Sequence, residues 1–62
     1  MDNLKTYYMA VVNTQGDFEI LGDFNDTNDT DAIEWTEAYV LKYFYQYEND
    51  WYCLDENKNV IS

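Results

Sequence analysis

The sequence predicts an α+β fold of order ββαββ, in which one helix packs on a four-stranded, mainly antiparallel sheet. Four stretches predict it. Residues 5–13, KTYYMAVVN, and 17–24, DFEILGDF, read as two strands joined by turn chemistry; residues 31–47 carry a helical period; and residues 51–62, WYCLDENKNVIS, read as a strand, a turn and a short return.

In the first strand both alternating sets are apolar, with Tyr7, Met9 and Val11 on one face and Tyr8, Ala10 and Val12 on the other. A strand of that kind is expected at the centre of a sheet, covered on both sides. NTQG then turns the chain, with Gly16 free to take a positive φ. In the return strand Phe18 and Ile20 are expected to face the core, with Asp17 and Glu19 nearer solvent. Leu21 falls on the polar side, and Gly22 marks an end or a bulge.

NDTNDTDA is a loop leading into a helix, with Thr30 or Asp31 as the expected N-cap and Glu34 three residues after Asp31 in a capping-box spacing. From Asp31 to about Tyr47, the residues Ala32, Ile33, Thr36, Tyr39, Val40, Tyr43, Phe44 and Tyr47 form one stripe. The other side carries Asp31, Glu34, Glu37 and Glu48 but also Ala38, Leu41 and Tyr45, with Trp35 on the flank. That mixture of acids with large apolar groups is unusual for a purely solvated face. After a short connection, Trp51–Leu54 is a strand, DENKN a turn, and Val60–Ile61 a short return. The element order resembles the small β-grasp immunoglobulin-binding domains, and FYQYEND followed by a hairpin opening on Trp51 is similar to their last third. The short passage from helix to strand also suits a meander with the helix packed across it.

Sixty-two residues suffice for one domain, residues 1–62, with a thin core. Domains this small usually need reinforcement. A single cysteine, Cys53, allows no disulfide within the chain, so aromatic bulk from two Trp, seven Tyr and three Phe is the available substitute. Thirteen Asp and Glu stand against Lys5, Lys42 and Lys58, giving a formal charge of −10 with no histidine. Phosphate contacts require a cationic footprint, so direct nucleic-acid binding is not expected, nor docking on an anionic membrane. The abundance of aromatics argues for a folded chain despite its charge. No apolar run is long enough to span a bilayer and MDNLKTYY does not read as a secretion signal. The expected location is therefore cytoplasmic, which a lone thiol suits.

Catalysis is not expected, because no Cys–His pair can form and no cation is evident near Cys53 to activate its thiol. No cofactor is implied. Asp23, Asn25, Thr27, Asp29, Asp31 and Glu34 do fall at positions 1, 3, 5, 7, 9 and 12 of an EF-hand-like frame, which would make a calcium site. Against it, Asn28 stands where the sharp turn wants glycine, and a strand precedes the loop. The expectation is a solvated loop ending in a helix cap, with no metal.

What remains is the surface. Carboxylates interleaved with aromatic anchors suit the basic nucleic-acid site of another protein, with carboxylates standing in for phosphates. In size and charge the chain resembles the small nucleic-acid-mimicking inhibitors of phages and mobile elements, which block restriction enzymes, CRISPR effectors, glycosylases or nucleoid proteins. That resemblance implies a non-enzymatic inhibitor whose partner is a basic nucleic-acid-handling protein, acting in the host cytoplasm if phage-encoded. The charges expected to carry it are Asp26, Asp29, Asp31, Glu34, Glu37 and Glu48, and the anchors Trp35, Leu41 and Tyr45. The competing expectation is a homodimer, with the net charge serving solubility.

Overall fold

The computed structural model describes residues 3–62; Met1 and Asp2, which open the stretch read above for a leader, lie outside them. Strand β1 (Lys5–Val12), strand β2 (Phe18–Asp26), helix α1 (Asp29–Tyr43) and strand β3 (Trp51–Leu54) follow in order, with a 3-10 turn at Tyr45–Tyr47. The architecture is α+β, one helix on a three-stranded sheet of order β2-β1-β3. Both pairings of β1 are antiparallel. The strand that is apolar on both faces is central, as its pattern predicts, but the helix covers one of its faces and not both, since the chain folds only one helix onto the sheet.

The expected fourth strand shrinks to one antiparallel bridge between Leu54 and Val60. The turn before it falls at residues 55–59, where DENKN was expected. Asp55 accepts at Oδ1 from the amides of Asn57 and Asn59, and Lys58 sits at φ 64°. Only past Asn59 does the chain run beside β3, where the Ile61 amide donates to the Cys53 carbonyl and the Ser62 hydroxyl accepts from the Cys53 amide. A β-grasp order is likewise absent, because the passage from Phe44 to Asp50 returns β3 antiparallel to β1. The Val12 amide donates to the Asp50 carbonyl at 3.0 Å and closes that passage.

The β1–β2 turn is held by Asn13, whose Oδ1 accepts from the amides of Gln15 and Asp17, with Gly16 at φ 85°. Further along, the register slips between Met9 and Ala10: Met9 pairs with Gly22 and Ala10 with Ile20, leaving Leu21 as the extra residue of a β-bulge. The slip decides the fate of half a strand. Gly22 and Phe24 share the helix-covered face with Met9 and Tyr7, whereas Phe18 and Ile20 lie on the opposite face with Val12 and Ala10. The expectation that Phe18 and Ile20 enter the core is thus overturned; they are 58% and 45% exposed.

Helix α1 also differs at both ends from its expected span. Its N-cap is Asn28, not Thr30 or Asp31: the Asn28 Oδ1 accepts from the Asp31 amide at 2.9 Å, and its Nδ2 donates to the Asp31 carboxylate at 3.1 Å. Asp31, rather than Glu34, is therefore the acidic half of the capping pair. At the other end Phe44 leaves helical geometry at φ −133°, and Tyr45–Tyr47 tighten into a 3-10 turn. The run Tyr43-Phe44-Tyr45 has weak helix propensity, and the break lets the Phe44 ring lie 6.0 Å from that of Tyr39. Ala32, Thr36 and Val40 form the buried row, with the Thr36 hydroxyl donating to the Ala32 carbonyl. Tyr7, Ala32 and Cys53 make the core, with Phe24, Ile33, Trp51 and Ile61 packed around it.

The cap assignment gives a test. Asn28→Ala should cost about 1 kcal/mol in urea unfolding, whereas Thr30→Ala should be close to neutral.

Candidate functional site

Because Ala32, Thr36 and Val40 turn toward the sheet, the residues between them must turn outward. Glu34, Glu37, Ala38 and Leu41 are all exposed. Trp35 sits on the flank above β2 and stacks on Phe24 with ring centroids 4.3 Å apart. The stack runs in both directions: inward from Phe24 to buried Tyr7 at 5.7 Å, and outward from Trp35 to Tyr39 at 5.2 Å and on to Tyr43 at 4.8 Å. One ladder of rings therefore leads from the core to the surface. Its outer end walls an open groove of about 310 Å3 formed by Trp35, Ala38, Tyr39, Lys42 and Tyr43, with the Lys42 ammonium 5.2 Å from the Tyr43 ring centroid.

The three expected anchors are all on the surface. Trp35 is 43%, Leu41 42% and Tyr45 65% exposed. Trp35 and Leu41 lie on opposite flanks of the outward face of α1, and Tyr45 lies beyond its end in the 3-10 turn. Of the residues expected to be interior, Tyr43 is exposed, and Tyr39, Phe44 and Tyr47 are half-buried. Tyr39, Lys42 and Tyr43 were not among the expected site residues, although the spacing of Trp35, Tyr39 and Tyr43 by four already puts their rings in a row on a helix.

The expected charges fall into two kinds. Asp26, Asp29 and Asp31 have structural duties. Asp26 accepts from the Thr27 amide at 2.7 Å, Asp31 completes the cap, and Asp29 accepts from the Tyr7 hydroxyl at 2.8 Å. That last bond joins the centre of the sheet to the first turn of the helix. Burial, then the hydrogen bond to Asp29 and the charges of Asp29, Asp26 and Cys53, push the Tyr7 hydroxyl up to about 12. Glu34, Glu37 and Glu48, in contrast, make no side-chain hydrogen bond among the described residues and are exposed. Glu48 lies past the C-terminal end of α1, roughly 20 Å along its axis from the Asp29 end. The nine residues are therefore spread from the end of β2 along α1 to just past the 3-10 turn rather than gathered in one cluster.

The EF-hand-like frame is divided by the fold. Asp23 and Asn25 belong to β2, on the sheet face away from the helix with their partners Tyr8 and Thr6, while Asp29, Asp31 and Glu34 belong to α1. Among the described residues no three His, Cys, Asp or Glu side chains gather to hold an ion. Cys53 is fully buried; desolvation raises its thiol pKa, opposed by a hydrogen bond with Thr36 and reinforced by Asp29 and Asp26. Among the described residues, no helix is long and apolar enough to cross a membrane. Comparison with protein families, with curated proteins and with solved structures returned no match.

Two outcomes follow from the buried pair of groups. A tyrosine whose pKa is raised by folding contributes stability below the unfolded value of 10.0 and loses it as pH climbs to about 12. Unfolding midpoints measured across that window should fall more steeply for the native protein than for Tyr7→Phe, which should also be less stable at neutral pH. Cys53 should resist thiol reagents in the folded protein and react once denaturant unfolds it; fast labelling under native conditions would contradict its burial.

Proposed function

We propose that this protein is a non-enzymatic binding module that offers the outward face of α1 to a basic, nucleic-acid-binding groove on another protein. The observation that carries the reading is the composition of that face. Glu34 and Glu37 stand exposed on the same helix as two large exposed apolar groups, Trp35 and Leu41. Carboxylates free of internal hydrogen bonds keep their charge available for a cationic partner. The flanking Trp35 and Leu41 supply the apolar area that a purely electrostatic contact lacks.

The physical logic separates rate from affinity. A net charge of −10 draws a basic partner in and makes association salt-dependent. The anchors then slow dissociation, since large aromatic groups at the centre of an interface carry most of its energy. Trp35 is suited to this because its ring is already held by Phe24 and Tyr39, so little side-chain freedom is lost on binding. Tyr45 and Glu48 lie past the end of the helix. Asp26, Asp29 and Asp31 add field at the other end while holding the local structure together.

The reading is tested by displacement. Unlabelled protein is titrated into complexes of basic nucleic-acid-binding proteins with a fluorescent duplex, at low and high salt. Displacement at low salt that weakens as salt rises is expected, with Trp35→Ala costing about 2 kcal/mol and Glu34→Gln with Glu37→Gln flattening the salt dependence. A duplex that stays bound throughout, or a doubly neutralised variant that competes as well as the native protein, would end the proposal.

A further inference from the structure

We propose that the sheet face opposite the helix is a self-association surface, on which a second copy of this chain packs face to face about a twofold axis. Helix α1 covers the face that carries Tyr7, Met9 and Val11. Among the described residues no helix covers the face that carries Tyr8, Ala10 and Val12, and the last turn reaches only its Tyr8–Leu54 end. The bulge at Leu21 places Phe18 and Ile20 there, and Tyr52 arrives from β3 as the partner of Ala10. The Phe18 and Tyr52 rings meet edge to face at 5.4 Å across Ala10, which is fully buried beneath them. Val60, bridged to Leu54, extends the patch and is 47% exposed.

Charge identifies the occupant. The molecule carries −10, so two copies repel wherever their acidic surfaces meet. This face is different. Among the described strand residues on it, Asp23 is the one that carries a charge, and Lys58 folds back from the last turn to lie 5.1 Å from the ring centroid of Tyr8, the residue with which Asp23 is paired. The two charges are of opposite sign and sit at the same level along β1, Asp23 on the β2 side and Lys58 on the β3 side. A twofold axis parallel to β1 lays β2 of one copy over β3 of the other. Asp23 then meets the partner's Lys58, and Phe18 and Ile20 meet the partner's Tyr52, each contact made twice as an isologous interface requires. The same patch is ill suited to a basic groove, since it offers one carboxylate. Packing two such sheets about 10 Å apart would supply the second apolar layer that a chain of this length lacks by itself. Both helices would remain outward, so this inference stands apart from the function proposed for α1.

A three-stranded face is at the small end of stable interfaces, which sets the expected dissociation constant in the micromolar range. Sedimentation velocity on the full chain, from about 1 to 200 μM, should show the mass rising from 7.5 kDa toward twice that value. Ile20→Glu should weaken the dimer at least about tenfold, and circular dichroism should show it folded, since Ile20 is on the surface. Asp23→Lys and Lys58→Asp should each weaken association, and the two together should restore it. Glu37→Lys changes the net charge as Asp23→Lys does, on the opposite side of the molecule, and should leave the dimer intact. A chain that stays monomeric throughout, a dimer indifferent to Ile20→Glu but broken by Leu41→Glu, or a charge-swapped pair no tighter than either single variant would each overturn the proposal. If Ile20→Glu does not fold, the charge-swap series decides alone.

Discussion

A central strand that is apolar on both faces, served by one helix, is the constraint from which the rest of this structure follows. Tyr7, Met9 and Val11 are buried because α1 and the inward residues of β2 and β3 cover them. Tyr8, Ala10 and Val12 have their sheet neighbours and, over Tyr8, Lys58 of the last turn. Ala10 and Leu54 are nonetheless sealed, by the Phe18–Tyr52 pair and the returning C-terminal turn, at the cost of leaving the covering groups themselves in water. A chain of this length has no second helix to spare, so burial on one face is obtained by exposure on the other.

The helix is attached through a small number of strong points. Its N-terminus is tied to the sheet by the Tyr7–Asp29 hydrogen bond, made in the core's own layer, and is closed by the reciprocal Asn28–Asp31 cap. Its flank is attached by the ring ladder from Tyr7 through Phe24 to Trp35. These attachments compensate for a narrow buried row of three residues, Ala32, Thr36 and Val40, whose side chains are too small to supply much apolar area. Large rings at the margin do the packing that small residues at the centre cannot. The same rings then emerge at the surface, so Trp35 both packs the fold and belongs to the face proposed for recognition.

The acids divide along similar lines. Those at the β2–α1 junction are occupied with amides, a cap and a buried hydroxyl, while those farther along α1 have no internal hydrogen-bond partner among the described residues. Charge therefore serves the fold at one end of the helix and is presented outward along the rest of it. The opposite sheet face carries little charge and much apolar surface. The molecule therefore has two chemically distinct sides.

Much of this was legible in the residues. The central strand, the hairpin with its glycine at positive φ, the strand Trp51–Leu54 and the exposure of Trp35 and Leu41 follow from alternation, turn chemistry and helical spacing. The side taken by Phe18 and Ile20 was not, because a single extra residue at Leu21 inverts every position beyond it, and the choice is made by pairing with β1. Nor was the start of the helix, where alternating Asx and Thr residues offer several caps of similar quality and the contact of Asp29 with Tyr7 selects among them. The sequence by itself determined the strongly negative surface, the kinds of element and their approximate places, since composition and periodicity are properties of neighbouring residues. Only the tertiary structure decided which face of the sheet stays open and which carboxylates remain free, since both depend on contacts between residues far apart in the chain.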